Sequence, residues 1–206
     1  GNPAPRLKDK AIVLFAADHH IADHGLSLTS TDVTYIQTRN FLQGGGTINA
    51  FTRNAGARLS VVDVGVNYDF GDLPGLVKRK VMHGANDFSR GPAMTREQAL
   101  ECLQVGIDMA REEKNKGLDS VAAGEMGIGN TPPSSAIVAV LTGTPVETVT
   151  GRGSGVRGEV IRKKIKLIEQ GIALNKPDPS DTIDVLAKVG GPEIGAMAGL
   201  MLGAAS

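Results

Sequence analysis

The sequence predicts an α/β fold, a Rossmann-like parallel sheet with helices on both faces. Three observations carry that expectation. Short β-rich runs alternate with longer helical patterns, the order that gives a parallel sheet covered by helices. Three of the runs are apolar enough for burial on both faces, as strands of such a sheet are. Glycine-rich turns follow the runs, at the carboxyl ends where open α/β sheets collect ligands. The 206 residues suffice for one domain with a substantial core, and no low-complexity linker or repeat divides them. A single α/β domain over 1–206 is expected.

The strand candidates are AIVLFAAD (11–18), RLSVVDVGV (58–66), DSVAAGEM (119–126) and VETVTG (146–151). Helical patterns occupy 32–54, 95–116, 132–142, 157–174 and 181–203. The clearest is 95–116. Its opening TREQ makes a capping box, with Thr95 as cap and Gln98 reaching back. Ala99, Leu103, Ile107 and Ala110 then follow at helical spacing. NKPDPSD (175–181) reads as a turn before the last helices, with Ser180 or Asp181 as cap.

Composition narrows the partners. The 22 basic and 22 acidic residues cancel, so no global field recruits nucleic acid or an acidic membrane surface. Aromatic residues make up 3% and there is no Trp, which leaves few stacking platforms for single strands. A small-molecule partner is expected. The single cysteine, Cys102, rules out an internal disulfide, fits a reduced compartment and reads as a small buried helix residue. The N-terminal GNPAPRLKDK holds no apolar signal core, and the longest apolar tract, EIGAMAGLMLGAAS, is too short to span a bilayer. The expectation is a cytoplasmic protein.

The stretch GEMGIGNTPP (124–133) leaves a strand and enters a helix. Its glycines let the backbone approach a ligand closely. Asn130 or Thr131 can cap the helix, and Pro132 suits its first turn. Free amides and the helix dipole at such a place favour an anion, a phosphate above all. The stretch is not a P-loop, because Asn130 and Thr131 stand where Lys and Ser/Thr are required. Nor is it the dinucleotide fingerprint, because Gly124, Gly127 and Gly129 have the spacing G-x-x-G-x-G. Glu125 is the oddity, since a carboxylate beside a phosphate needs a cation to balance it. A second cluster, GRGSG (151–155), precedes a basic helix from which Lys163 or Lys164 supplies counter-charge. A third, QGGGTIN (43–49), reads as a helix break.

FAADHHIADHG (15–25) gathers Asp18, His19, His20, Asp23 and His24 after a strand, a set that invites a metal and echoes the metal-dependent phosphoesterases. Those enzymes require further ligands from neighbouring strand ends, and Asp63 is the only evident recruit. The alternative is that Asp18 and His19 line a ligand cleft while His20 and His24 are partly exposed.

Taken together, FAADH, VTYIQTRNFLQGGGTINAFTRNAGARLSVVDVGV, NDFSRGPAMTREQAL, AGEMGIGNT, GRGSG and DVLAKVGGPEIGAMAGLMLGAAS resemble the nicotinate-nucleotide:dimethylbenzimidazole phosphoribosyltransferase family of cobalamin nucleotide-loop assembly. The likeness runs along almost the entire chain. It implies an enzyme, a pentosyltransferase that moves phosphoribose from nicotinate mononucleotide to a benzimidazole-type base, giving nicotinate and an α-ribazole phosphate-type product. No metal and no cofactor are implied. Its partners would be the mononucleotide, an aromatic base and a second copy of the chain in a homodimer.

The resemblance places Glu125, Gly127 and Lys164 at the mononucleotide site, with Glu125 stabilising positive charge at the sugar. Gly129, Asn130, Thr131, Gly153, Ser154, Gly155, Asp18 and His19 complete the expected substrate contacts, and Ser27 lines the base pocket. The family's base-contacting Gln is replaced by Ile36 or shifted to Gln37. The family's small helical domain is expected to be largely absent, as is the glycine-rich segment that carries its general-base Glu. Loss of such a base costs about 10²–10⁴-fold, so the expectation is binding architecture with weak or no turnover. A non-catalytic nucleotide- or base-binding module and a metal phosphoesterase are the competing readings.

Overall fold

The first strand, β1, runs Lys10–Ala17 and lies at the centre of a four-stranded, all-parallel sheet in the order β3-β2-β1-β4. The computed structural model describes residues 7–206. Residues 1–6, and with them most of the N-terminal segment that reads as lacking a signal core, lie outside the described residues. β2 is Ala57–Gly65, β3 is Leu76–Lys78 and β4 is Ser120–Met126. In the register Phe15 stands opposite Val62 on one side and Glu125 on the other.

The helices in chain order are α1 (Val33–Leu42), α2 (Thr47–Ala55), α3 (Arg96–Asn115), α4 (Thr131–Thr142), α5 (Val146–Val149), α6 (Glu159–Asn175), α7 (Thr182–Val189) and α8 (Pro192–Ala205). A short 3₁₀ turn spans His20–His24. Alternation along β1 separates two cores. Val13, Phe15 and Ala17 pack with Val62 and Val64 against Cys102 and Met109 of α3, Leu186 of α7 and Leu200 of α8. Leu14 and Ala16 pack with Val61 against Tyr35 and Phe41 of α1 and Ile48 of α2. Helices therefore cover both faces, as the sequence predicts. A third cluster joins α4, α6 and α7 to the 3₁₀ turn through Ala136, Ile168, Val185 and Ile21. Burying a large apolar side chain such as Phe15 contributes about 1.5–3 kcal/mol.

The 95–116 pattern is borne out as α3. Thr95 Oγ1 accepts from the Gln98 amide at 3.1 Å while Gln98 Oε1 accepts from the Thr95 amide at 2.9 Å. α3 and α8 touch backbone to backbone: a methyl added at Gly199 would lie 1.9 Å from the Leu103 carbonyl oxygen, and one at Gly106 2.0 Å from that of Ala196. Cys102 sits buried in this contact, its thiol pushed up to about 12, first by burial and then by Glu193.

Three expectations are corrected. The run 146–151 is not a strand. It forms the single turn α5 after Pro145, and the carbonyls that a ladder would engage accept instead from hydroxyls, Val146 O from Thr150 Oγ1 and Val149 O from Ser135 Oγ. The fourth strand is the three-residue β3, too short to register as a pattern. The helices expected at 32–54 and 181–203 each divide, at Gly44–Gly46 and at Gly190–Gly191.

Candidate active site

The site begins where β4 ends. Glu125 projects from the second-last position of β4, and the turn that follows leads into α4. Gly129 has φ +91°, and a methyl there would lie 2.7 Å from Ala22 Cβ, so only glycine fits. The Ile128 amide donates to Thr34 Oγ1 at 3.1 Å, which ties the turn to α1.

Asn130 occupies the cap position of α4 but does not cap it. Its amide nitrogen donates instead to Glu125 Oε2. Pro132 and Pro133 bring no N–H to the first turn, so the helix end offers fewer donors than the sequence suggests. Among the described residues, the amides of Gly129 and Thr131 have no hydrogen-bond partner and remain for a ligand.

The cation arrives from α6. Lys164, Leu167, Ile168 and Gly171 form its buried face at helical spacing, and Lys164 is 1% exposed. Its Nζ donates to Thr131 Oγ1 at 2.7 Å and to Gly151 O at 3.0 Å. Burial holds this ammonium down at about 8. The expected alternative donor, Lys163, turns away to donate to His24 O at 2.7 Å. Gly153 sits above the pair: a methyl on it would lie 2.9 Å from Thr131 Oγ1 and 3.4 Å from Lys164 Nζ.

These pieces enclose a cavity of about 220 Å³ lined by Leu26, Ser27, the Glu125–Thr131 turn and Ser154. Ser154 Oγ lies 3.2 Å from Ser27 Oγ and accepts from the Leu28 amide at 3.2 Å. Gly155, at φ +100°, follows in the same loop and passes over Leu28. Glu125 is exposed at the cavity wall. Partial burial of its carboxyl group raises its pKa, aided by Glu193 and opposed by the Asn130 hydrogen bond and by His19. Gln37 does not line this cavity; its side-chain oxygen accepts from Asn40 at 3.1 Å within α1.

Asp18 and His19 line a second, smaller hollow of about 90 Å³ with His20, Asp23, Tyr35 and Asn67. Asp18 Oδ2 accepts from the Asn67 amide at 2.8 Å, and burial raises its pKa. His19 is buried and bonds Glu193 Oε1 through Nε2 at 2.8 Å. The metal reading finds no assembly here. Asp63 pairs with Lys80 at 2.8 Å, His24 pairs with Asp87 at 2.8 Å, and no three His, Cys, Asp or Glu among the described residues are placed to hold an ion.

All 206 residues match the family model described as Phosphoribosyltransferase. The chain belongs to the phosphoribosyltransferase family. It is 53% identical over its whole length to a nicotinate-nucleotide--dimethylbenzimidazole phosphoribosyltransferase of Geobacter sulfurreducens, covering 58% of that protein. A relative of the same name from a Roseiflexus species is 50% identical, again with 58% covered. The crystal structure of CobT from Thermus thermophilus superposes with TM-score 0.92 at 42% identity, over 97% of this chain and 60% of that one. The chain thus spans about 58% of the length of the curated relatives it matches.

Two residues of this candidate site escaped the sequence reading. Thr34 is one polar residue among several in a helical pattern, with no local sign that its hydroxyl meets the glycine turn. Glu193 does carry a sign. It is the only charged residue in VGGPEIGAMAGLMLGAAS, and a carboxylate alone in an apolar tract is buried for a reason.

Proposed function

We propose that this chain supplies the mononucleotide-binding core of an enzyme that transfers phosphoribose from nicotinate mononucleotide to a benzimidazole-type base. One observation carries the reading. Asn130 and Thr131, neighbours in the chain, hold opposite charges: Asn130 bonds the Glu125 carboxylate and Thr131 bonds the Lys164 ammonium. Nicotinate mononucleotide is likewise polarised, with a cationic pyridinium at one end of the ribose and a phosphate at the other.

The chemistry follows from that fit. The bond between the anomeric carbon and the pyridinium nitrogen breaks, its electron pair passes to nitrogen and nicotinate leaves without needing a proton. The acceptor's ring nitrogen attacks the same carbon, and its N–H proton is then released to a base. Positive charge grows on the sugar in between, as in other glycosyl transfers. Glu125 faces that charge, while Lys164 and the Gly129 and Thr131 amides hold the phosphate. Asp18, His19 and Gln37 do not line this cavity. The printed names of the relatives support the same substrates, nicotinate nucleotide and dimethylbenzimidazole.

We also infer a homodimer, supported by the exposed Met201 and Leu202 on α8, and a cytoplasmic location, consistent with the lone cysteine. Among the described residues no helix is long and apolar enough to cross a membrane. Calorimetric titration of nicotinate mononucleotide into the chain and its Glu125→Gln variant tests the central reading. Micromolar binding weakened by the substitution is expected. Absence of binding by a full-length form of the protein would refute it. Binding by that full-length form without any release of nicotinate would favour a non-catalytic module.

A further inference from the structure

Among the described residues, Asn130 is the one side chain that hydrogen-bonds the Glu125 carboxylate. An asparagine directly before a helix ordinarily accepts from the amide of the second or third helical residue. In α4 those residues are Pro132 and Pro133, which have no N–H to give. The backbone of Asn130, at φ −82° and ψ −12°, is also helical rather than extended as a capping residue's is. Its side chain is therefore released from the helix it precedes.

The turn gives that side chain its path to Glu125. The Asn130 amide donates to Gly127 O at 3.3 Å, and Asn130 O accepts from the Ser134 amide at 3.1 Å and from Ser134 Oγ at 2.8 Å, so the backbone at Asn130 is fixed on both sides. A methyl on Gly127 would lie 3.4 Å from Asn130 Nδ2, 3.5 Å from its Cβ and 2.5 Å from Ala17 O. The side chain thus lies folded against Gly127 and reaches back five residues along the chain to Glu125. An ionised carboxylate only accepts, which makes Nδ2 the donor. Oε2 of Glu125 is engaged in this way, while Oε1 has no hydrogen-bond partner among the described residues. Both residues line the ligand cavity.

We propose that Asn130 is a positioning residue for Glu125, holding one carboxylate oxygen, favouring the ionised form and leaving the other oxygen for the bound sugar. A hydrogen bond donated to a carboxylate stabilises its charged form. An aspartate of the same shape would set two carboxylates in contact, and a leucine of similar size would donate nothing, so the amide is what the place requires. The remaining influences on Glu125 do not replace it. Burial, the largest, raises its pKa; Asn130 lowers it, Glu193 on α8 raises it and His19 beyond β1 lowers it. Glu193 and His19 bond each other and not Glu125, and Lys164 on α6 bonds Thr131.

The inference rests on the proposed function, in which Glu125 acts ionised, and two readouts keep them separable. The first needs no substrate. In the chain as it is, NMR follows the side-chain amide of Asn130 and the carboxyl carbon of Glu125 together against pH. The Asn130 amide protons are expected to shift with the same midpoint as the carboxyl, and an amide that does not respond overturns the proposal. Asn130→Leu keeps the bulk of the side chain but removes the donor, and is expected to move the Glu125 midpoint up by about one pH unit. A purely structural role in shaping the turn leaves that midpoint in place, so an unmoved midpoint in the folded variant also overturns the proposal. If the variant does not fold, the wild-type amide titration decides alone. The second readout is nicotinate mononucleotide affinity against pH, whose acid limb is expected to move up with the carboxyl in Asn130→Leu. A limb that holds its place while the carboxyl moves overturns the positioning role. Carboxyl shifts as expected, with no mononucleotide bound even by a full-length form, leave the contact with Glu125 standing and remove the substrate reading.

Discussion

Lys164 Nζ lies 2.7 Å from Thr131 Oγ1 with the side chain 1% exposed, and among the described residues no carboxylate is within ion-pairing distance of it. A buried ammonium held by a hydroxyl and a carbonyl alone is poorly compensated. Its pKa is lowered to about 8 from the ordinary 10.5, so folding disfavours the charged form. The associated stability is present above the unfolded value and is lost as pH falls through about 8. Lys164→Met is therefore expected to melt higher than the wild type at pH 6.5, with the advantage fading toward pH 11. Thermal unfolding at the two pH values checks this, and a lower melting point at pH 6.5 would contradict it.

The same substitution should weaken ligand binding. A charge-assisted hydrogen bond contributes about 1.5–3 kcal/mol, which corresponds to about 10- to 100-fold in affinity for nicotinate mononucleotide. In the wild type the affinity should decline as pH rises through about 8, where Lys164 discharges. Calorimetry between pH 7 and 9.5 tests both. A flat profile would place the phosphate elsewhere.

Glu125 titrates on the other side. Its folded pKa is raised, chiefly by burial, so its charging costs stability and Glu125→Gln should leave the melting temperature unchanged or higher at neutral pH. Binding should behave oppositely. Mononucleotide affinity is expected to fall as pH drops through the raised Glu125 value, and Glu125→Gln should abolish that acid limb and weaken binding about 10-fold or more at pH 7. An acid limb that survives in the variant would assign it to another group.

Gly199 is constrained by packing. An added methyl would sit 1.9 Å from the Leu103 carbonyl oxygen, a backbone atom that cannot turn aside. Gly199→Ala should force α8 from α3 and destabilise by about 1–3 kcal/mol despite alanine's better helix propensity. Denaturant unfolding measures it, and a stabilised variant would show that the two helices pack more loosely than this distance implies.

Asp181 Oδ1 accepts from the Ile183 and Asp184 amides at 3.1 Å each while Oδ2 accepts from Arg96 at 2.7 Å. Asp181→Ala should cost about 1–2 kcal/mol through the lost cap of α7. Arg96→Ala, which removes only an exposed ion pair, should cost less than about 1 kcal/mol. Equal losses would mean that the ion pair, not the cap, matters.

The central strands and α3 were legible because burial on both faces leaves unbroken apolar runs, as in AIVLFAAD, and because Thr95 and Gln98 announce a helix start by spacing alone. The run VETVTG misled because β-branched residues fit a strand or a turn, and only the hydroxyls of Ser135 and Thr150 choose between them. In the candidate site the glycine turn and Glu125 were legible from local pattern, and Lys164 was one of two adjacent lysines. Which lysine points inward depends on the phase of α6 against α4, a tertiary fact. Asn130 was read as a cap because its position allows one, but Glu125, five residues earlier, competes for it. Glu193 meets His19 across 174 positions of sequence, beyond the reach of any local rule.

Tyr35 and Tyr68 stack with ring centroids 4.4 Å apart and planes 12° from parallel. They are the only two tyrosines, and the chain has no tryptophan. The protein's near-ultraviolet emission and dichroism therefore come almost wholly from one ring pair, of which Tyr35 lines the hollow that holds Asp18 and His19. α1, which carries Tyr35, also carries the Thr34 hydroxyl that holds the glycine turn. Thr34 and Tyr35 are adjacent in α1, so the near-ultraviolet signal of this ring pair is the label-free reporter placed nearest the glycine turn.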